Sequence, residues 1–184
     1  MATLTLANQL TLFRLLLVPG LVILVLYGHN GWALLTFGVA GLTDALDGII
    51  ARRAGQRTSL GALLDPMADK LLFVSTFVVL SLPGLELANR LPVWLTVLVI
   101  SRDIVIVLTV AAVNLAVERR VFEPSALGKV ATLVYICTGV VTLYFNYLDR
   151  PSQLVGVFVY VSLVVTLISG LHYIVYVARI VNEP

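Results

Sequence analysis

Residues 43–70 read TDALDGIIARRAGQRTSLGALLDPMADK, and they decide the fold because they place acidic side chains inside an apolar chain. Four of the ten acidic residues fall within 26 positions, at Asp44, Asp47, Asp65 and Asp69. Around them, 60% of the 184 residues are hydrophobic and only 12% are charged. This composition lies far outside the usual range of soluble proteins. It therefore predicts an integral membrane protein.

Six apolar stretches approach the length of about 20 residues that a helix needs to cross a bilayer. They cover residues 10–27, 32–51, 62–82, 92–115, 126–147 and 153–177. The connections between them are short and carry Gly, Pro, Asn or charged residues, so consecutive helices should be antiparallel neighbours. We therefore predict an all-α fold, a bundle of six transmembrane helices that forms a single domain over residues 1–184.

The arginines of the predicted loops indicate which way the bundle lies in the membrane. Cytoplasmic loops are enriched in Lys and Arg. With alternating helices, one side carries Arg52, Arg53, Arg57, Arg119, Arg120 and Arg179, and the other carries Arg90 and Arg150. This distribution predicts that both termini and the aspartate segment are cytoplasmic. The net charge of +2 and the lack of a basic stripe exclude nucleic acid as an expected partner.

The spacing of the aspartates places each pair on one face of a helix. Asp44 and Asp47 are three residues apart, and Asp65 and Asp69 are four apart. An ionised Asp inside the membrane costs about 2.5–3.5 kcal/mol, so a group of four needs neutralising partners. Oxygen ligands with this charge suit one or two hard divalent cations, Mg²⁺ or Mn²⁺. We therefore predict a metal site shared by two neighbouring helices.

Two other interpretations of the aspartates remain open from the residues alone. They could lie at helix ends in contact with water, in ion pairs with Arg52, Arg53, Arg57 and Lys70. They could also line the pathway of a divalent-cation carrier, because acidic side chains inside the membrane often mark such pathways. A carrier would not explain the glycine and arginine residues that accompany the aspartates.

The segments DALDGIIAR and GALLDPMAD, separated by eight residues, resemble the signature of the CDP-alcohol phosphatidyltransferase family. That signature is D-x-x-D-G-x-x-A-R-x(8)-G-x-x-x-D-x-x-x-D, and every defined position is filled here. The resemblance extends to the six-helix layout and to NQLTLFR before the first span. It therefore covers nearly the whole chain.

The resemblance implies an enzyme that moves a phosphatidyl group from CDP-diacylglycerol to an alcohol and releases CMP. It implies a divalent metal site at Asp44, Asp47, Asp65 and Asp69, with two ions expected. Asp69 would also be the general base, and Gly48, Arg52 and Gly61 would contact the cytidine diphosphate. A homodimer in the bacterial plasma membrane, with the active site between helices at the cytoplasmic face, is expected on the same grounds.

Three further cations are candidates for binding the acceptor phosphate. Arg102 is followed by Asp103 in the middle of an apolar run, where an ionisable residue usually has a function. Arg14 lies near the start of the first helix, and Lys129 near the start of the fifth. The alternatives are a self-compensating Arg102–Asp103 pair, and side chains of Arg14 and Lys129 that extend to the lipid headgroups.

The segment DPMADK resembles the branch of the family that makes phosphatidylglycerol phosphate and cardiolipin. In that branch, the phosphatidylglycerol-phosphate synthases carry an Arg-Glu pair on the fourth helix and a second Arg eight residues after the first. Here these positions hold Arg102, Asp103 and Val110. A pocket without the second arginine should bind dianionic glycerol 3-phosphate less well. We therefore favour phosphatidylglycerol as acceptor, in a CMP-forming cardiolipin synthase, and keep glycerol 3-phosphate as the alternative.

Overall fold

The computed structural model describes residues 6–54, 59–116 and 126–182, with side chains described for residues 9–43, 67–68, 70–109 and 126–175. These residues form six α-helices and no strand. The helices are α1 (Leu6–Leu26), α2 (Asn30–Ala54), α3 (Ser59–Ser81), α4 (Val93–Ala116), α5 (Ala126–Tyr147) and α6 (Gln153–Asn182). The all-α prediction is confirmed, and each helix overlaps one of the six predicted stretches.

Three helices contain segments that are long and apolar enough to cross a membrane, within the part of the chain whose residues are described. These segments are Gln9–Leu26, Ala126–Tyr147 and Gln153–Val175. A shorter apolar segment, Lys70–Ser81, lies in α3. The apolar helices agree with the predicted membrane protein, whereas the count of six spans stays a prediction.

The helices belong to two compact units. The first unit comprises residues 1–90 and 139–152, and the second comprises residues 91–138 and 153–184. In the first unit α1 packs against both α2 and α3, and α2 also contacts α3. The core of this unit is apolar and includes Leu21, Val25, Ala33, Phe37, Ala40, Phe73, Phe77, Leu80 and Leu143. The single-domain prediction stays a prediction.

Tight turns end α1 and α5. Gly28 after α1 and Asp149 after α5 have left-handed backbones, with φ of 75° and 49°. After Gly28, the His29 N–H donates to the Leu24 carbonyl at 2.8 Å. After Asp149, the Arg150 N–H donates to the Phe145 carbonyl at 3.1 Å. These bonds satisfy carbonyls that the helix end would leave unpaired. They let α2 and α6 begin within a few residues of the preceding helices.

Two buried asparagines join the connection after α3 to the end of α5. The Asn89 N–H donates to Asn146 Oδ1 at 2.7 Å, and Asn146 Nδ2 donates to the Asn89 carbonyl at 2.9 Å. Asn89 Nδ2 donates to the Arg150 carbonyl at 2.7 Å, and its Oδ1 accepts from the Ser152 N–H at 2.8 Å. Asn89 thus uses every polar atom that it has. This network fixes two chain connections of the first unit.

We expect Asn146→Ala to lower the free energy of unfolding by about 2–4 kcal/mol, because it leaves the buried N–H and C=O of Asn89 without partners. The measurement is thermal unfolding of the purified protein in detergent. Gln153→Ala, which removes an exposed amide, is the control and should change stability by less than about 0.5 kcal/mol. Equal melting temperatures for wild type and Asn146→Ala would show that the network contributes little.

In the second unit α4 packs against α6, and hydroxyl groups join α5 to α6. Thr138 Oγ1 lies 2.8 Å from Ser162 Oγ, and the Tyr135 hydroxyl lies 2.7 Å from Thr166 Oγ1. All four residues are buried. Hydrogen bonds of this kind hold helices together where the surroundings are apolar. The second unit therefore has a polar seam, Tyr135, Thr138, Ser162 and Thr166, inside an apolar exterior.

Candidate active site

The motif residues lie on two helices of the first unit. Asp44 and Asp47 belong to α2, and Asp65 and Asp69 belong to α3. The predicted donor-binding residues follow the same division, with Gly48 and Arg52 in α2 and Gly61 in α3. The side chains of these residues lie outside the described part of the structure. Their contacts therefore stay predictions, and the backbone gives their helical register.

On α2, the aspartates occupy the register of the buried residues. Ala33, Phe37 and Ala40 are buried and are separated by four and three residues. Asp44 and Asp47 follow at the next intervals of four and three. Residues at these intervals share one face of a helix. The Asp44 and Asp47 positions therefore continue the buried stripe of α2.

On α3, the same relation holds in the other direction along the helix. Leu72, Thr76 and Leu80 are buried at intervals of four. Asp69 precedes Leu72 by three residues, and Asp65 precedes Asp69 by four. Both aspartate pairs thus occupy positions in register with buried residues, on two helices that contact each other and that both contact α1.

Arg14 of α1 is fully buried, with 0% of its surface exposed. A side chain that extends to the lipid headgroups would be exposed, so Arg14 does not match that alternative. Arg14 precedes the end of α1 by 12 residues, and Asp44 follows the start of α2 by 14. At 1.5 Å per residue, these positions lie about 18 Å and 21 Å along their helices from the short connection. Arg14 and the first aspartate pair are therefore at similar levels of the first unit.

Arg102 of α4 forms an ion pair and a hydrogen bond in the second unit. Its Nη1 donates to Asp103 Oδ1 at 2.7 Å, and its Nη2 donates to Ser169 Oγ of α6. The side chains of Arg102 and Asp103 are only 11% and 12% exposed. The self-compensating pair that the sequence allowed is thus present, and a serine from another helix adds to it.

Lys129, the third candidate cation, is exposed in the first turns of α5. Its exposure is compatible with an acceptor phosphate and equally with lipid headgroups. Both interpretations of Lys129 therefore stay open.

The donor set, rather than a visible cluster, supports the metal prediction. Among the side chains that the structure describes, no group of three or more His, Cys, Asp or Glu residues could hold a metal ion. The side chains of the four aspartates lie outside the described part, and their positions on α2 and α3 are in register with buried residues. Four carboxylates are a donor set that hard divalent cations prefer. The residues present therefore fit such a cation.

Ser169 was not predicted from the sequence, although a pattern in α6 could have indicated it. Ser162, Thr166, Ser169 and Tyr173 are all buried, and they are separated by four, three and four residues. Polar residues at these intervals in an apolar helix mark a face that meets other helices. The pattern identifies the face, but it does not identify Arg102 as the partner of Ser169.

Comparison with protein families gives a match over most of the chain. The model of the CDP-alcohol phosphatidyltransferase family matches residues 4–168. This region contains the whole aspartate motif and five of the six helices in full.

Individual relatives carry two different enzyme names. A probable phosphatidylglycerophosphate synthase of Mycobacterium tuberculosis is 36% identical over 179 residues, which cover 92% of this chain and 79% of the relative. A CMP-forming cardiolipin synthase of Homo sapiens is 36% identical over 152 residues, 82% of this chain and 48% of the relative. The CMP-forming cardiolipin synthase of Streptomyces coelicolor is 39% identical over 138 residues, 70% of this chain and 60% of the relative.

Proposed function

This chain belongs to the CDP-alcohol phosphatidyltransferase family and is a phosphatidyltransferase of phospholipid biosynthesis, and from that premise we propose that its acceptor is phosphatidylglycerol. The product would then be cardiolipin, with release of CMP. The relatives include both phosphatidylglycerophosphate synthases and cardiolipin synthases, so their names do not determine the acceptor of this chain.

In the proposed reaction, a hydroxyl oxygen of phosphatidylglycerol attacks the phosphorus that carries the diacylglycerol. The bond from this phosphorus to the bridging oxygen breaks, and CMP leaves with that oxygen. Asp69 accepts the proton of the attacking hydroxyl as general base. Gly48 and Gly61 lack side chains, which would allow close approach of the cytidine diphosphate, and Arg52 would donate hydrogen bonds to its phosphates.

The family generally depends on divalent metal ions. We propose that Asp44, Asp47, Asp65 and Asp69 hold one or two of them, Mg²⁺ or Mn²⁺. A bound metal would stabilise negative charge on the attacking and leaving oxygens. Both aspartate pairs are in register with buried residues of their helices, which supports this assignment, since ionised carboxylates inside a membrane need cationic partners. Arg14, fully buried on the adjoining helix, would supply a further positive charge for phosphate.

The acceptor choice rests on two observations together: Arg102 is paired with Asp103, and Val110 stands where a second arginine would add positive charge. Nη1 of Arg102 lies 2.7 Å from the carboxylate, so much of the positive charge of the guanidinium is already balanced. Glycerol 3-phosphate is close to a dianion at neutral pH and needs more uncompensated positive charge than this pair offers. Phosphatidylglycerol has one negative charge and its own lipid anchor. A paired Arg102 without a second arginine therefore favours phosphatidylglycerol.

Glycerol 3-phosphate is the second candidate acceptor, and the coverage of the relatives supports it. The relative named as a probable phosphatidylglycerophosphate synthase aligns with 92% of this chain, a larger share than the cardiolipin synthases of Homo sapiens or Streptomyces coelicolor. With that acceptor, Lys129 would be the cation available to add positive charge.

We further propose that the protein is a single domain with six spans in the bacterial plasma membrane, with both termini and the aspartates at the cytoplasmic face. The arginine distribution of the loops and the apolar helices support this arrangement. Water-soluble nucleotide would then enter from the cytoplasm while the acyl chains stay in the bilayer. A homodimer is proposed from the family resemblance alone.

The test of the acceptor is the identity of the lipid product. We expect purified protein supplied with CDP-diacylglycerol and phosphatidylglycerol to release CMP and to form cardiolipin. Mass spectrometry of the lipids and assay of CMP provide the measurement. With glycerol 3-phosphate in place of phosphatidylglycerol, we expect product formation at least about tenfold slower, because one lost charge-assisted contact is worth about 1.5–3 kcal/mol.

The matched control is each acceptor alone, without CDP-diacylglycerol. A cardiolipin synthase of the CMP-forming type yields no cardiolipin under that condition. Rapid formation of phosphatidylglycerol phosphate, with no cardiolipin, would refute the preferred acceptor and leave the enzyme class intact.

A further inference from the structure

The guanidinium of Arg102 is held at two of its three nitrogens. Nη1 donates to Asp103 and Nη2 donates to Ser169. The third nitrogen, Nε, is buried and has no hydrogen-bond partner within the described residues. A buried N–H without an acceptor costs about 1–3 kcal/mol. The arrangement therefore leaves one buried donor of a charged group without an acceptor in the described part of the chain.

We propose that Ser169 is a positioning residue, which orients Arg102 so that its Nε–H binds a phosphate oxygen of the acceptor. This inference rests on the proposed function, in which Arg102 contacts the acceptor. An arginine side chain has about 2 kcal/mol of rotamer entropy, and anchoring the planar guanidinium at both ends removes most of that freedom. Asp103 supplies one anchor from the same helix, and Ser169 supplies the other from α6.

The surroundings of Ser169 distinguish it from the other hydroxyls of α6. Ser162 and Thr166 form hydrogen bonds with the hydroxyls of Thr138 and Tyr135 on α5, and these bonds join the two helices. Ser169 accepts from a guanidinium instead. Next to it, a Cβ added at Gly170 would lie 3.8 Å from Arg102 Cγ, so the arginine stem runs close to the α6 backbone.

The ligand chemistry is a phosphate joined to glycerol. Both phosphatidylglycerol and glycerol 3-phosphate carry this group, and either could place an oxygen at Nε of Arg102. The experiment therefore measures the KM for each acceptor separately.

The test is Ser169→Ala in the full chain, assayed by CMP release. The acceptor is varied at saturating CDP-diacylglycerol, and CDP-diacylglycerol is then varied at saturating acceptor. Loss of a hydrogen bond of about 1 kcal/mol should raise the KM for the acceptor about fivefold. The kcat should stay within about twofold and the KM for CDP-diacylglycerol should not change, because Ser169 acts through Arg102 on the acceptor alone.

Ser162→Ala is the matched control, because it removes a buried serine hydroxyl from the same helix. Its partner Thr138 keeps a hydrogen bond to the Val134 carbonyl at 2.8 Å, so this variant should fold and keep the acceptor KM of the wild type. A second control tests whether Ser169 acts through the arginine. In a background with Arg102→Gln and Asp103→Asn, Ser169→Ala should change the acceptor KM no further.

Three results would overturn the proposal while leaving the proposed function intact. These are an unchanged acceptor KM in Ser169→Ala, an equal rise in Ser162→Ala, or a parallel rise in the KM for CDP-diacylglycerol. If the wild type transfers only to glycerol 3-phosphate, the preferred acceptor is wrong, and the effect on that KM still decides the role of Ser169. If the wild type transfers to neither acceptor, the function and the inference both fail.

Discussion

Asp69→Asn is expected to reduce kcat by about a thousandfold or more while the protein stays folded and binds CDP-diacylglycerol. The amide has nearly the shape of the carboxylate but cannot accept the proton of the acceptor hydroxyl. General-base catalysis alone contributes about 10²–10⁴-fold to a rate. Donor binding should persist because Gly48, Arg52 and Gly61 would still contact the cytidine diphosphate. The measurements are CMP release under saturating substrates and equilibrium binding of the donor.

The matched control is Asp149→Asn, the same chemical change at an exposed position after α5. Asn tolerates the left-handed backbone of Asp149, so the control should fold and keep its activity. Near-normal turnover of Asp69→Asn would refute the general-base assignment. Loss of donor binding together with turnover would indicate that the loss of activity comes from the metal and donor site, and would refute proton transfer as its cause.

The helices could be predicted from the sequence because apolar runs end at recognisable breaks. The fifth run, residues 126–147, coincides with α5, which lies between EPS and a turn at Asp149. The other boundaries differ by a few residues. Helix α1 begins at Leu6, and α6 continues to Asn182. Backbone hydrogen bonds continue through polar residues at the ends of a helix, whereas a search for apolar residues stops there.

The candidate site could be predicted only in part, because a sequence gives helical spacing but not the partner that a face meets. The spacing of the aspartates indicated one face on each helix, and the stripes of buried residues in α2 and α3 agree with it. The sequence left Arg14 between a phosphate contact and a lipid-headgroup contact; its full burial argues against the headgroup contact, and the phosphate contact stays a prediction. Ser169 was missed because it is 67 residues from Arg102 along the chain.

The Arg102–Asp103 pair illustrates the same limit. Adjacent residues on a helix point about 100° apart and do not normally face each other. The length of the arginine side chain nevertheless lets Nη1 reach the carboxylate at 2.7 Å. The sequence allowed this pair as an alternative to a functional role. The structure contains the pair, and Nε of Arg102 has no hydrogen-bond partner within the described residues, so a structural pair and a functional role are compatible.

Removal of divalent ions is the second change with a large expected effect. We expect excess chelator to reduce CMP release to background, and added Mg²⁺ or Mn²⁺ to restore it. Ca²⁺ should restore little activity, because it prefers a larger and more irregular oxygen shell than the compact octahedral site that suits Mg²⁺. The measurement is the rate of CMP release as each ion is added back to chelator-treated protein.

Thermal unfolding supplies a readout that does not depend on activity. An ion that binds only the folded protein stabilises it by about 2.7 kcal/mol at one hundred times its dissociation constant. Mg²⁺ should therefore raise the melting temperature of the wild type. In a variant with both Asp44→Asn and Asp65→Asn, one change on each helix, this increase should disappear, whereas Asp149→Asn should keep it. Full turnover in excess chelator would exclude the metal site, and the aspartates at buried register would then need Arg14 and other cations of the chain to balance their charge.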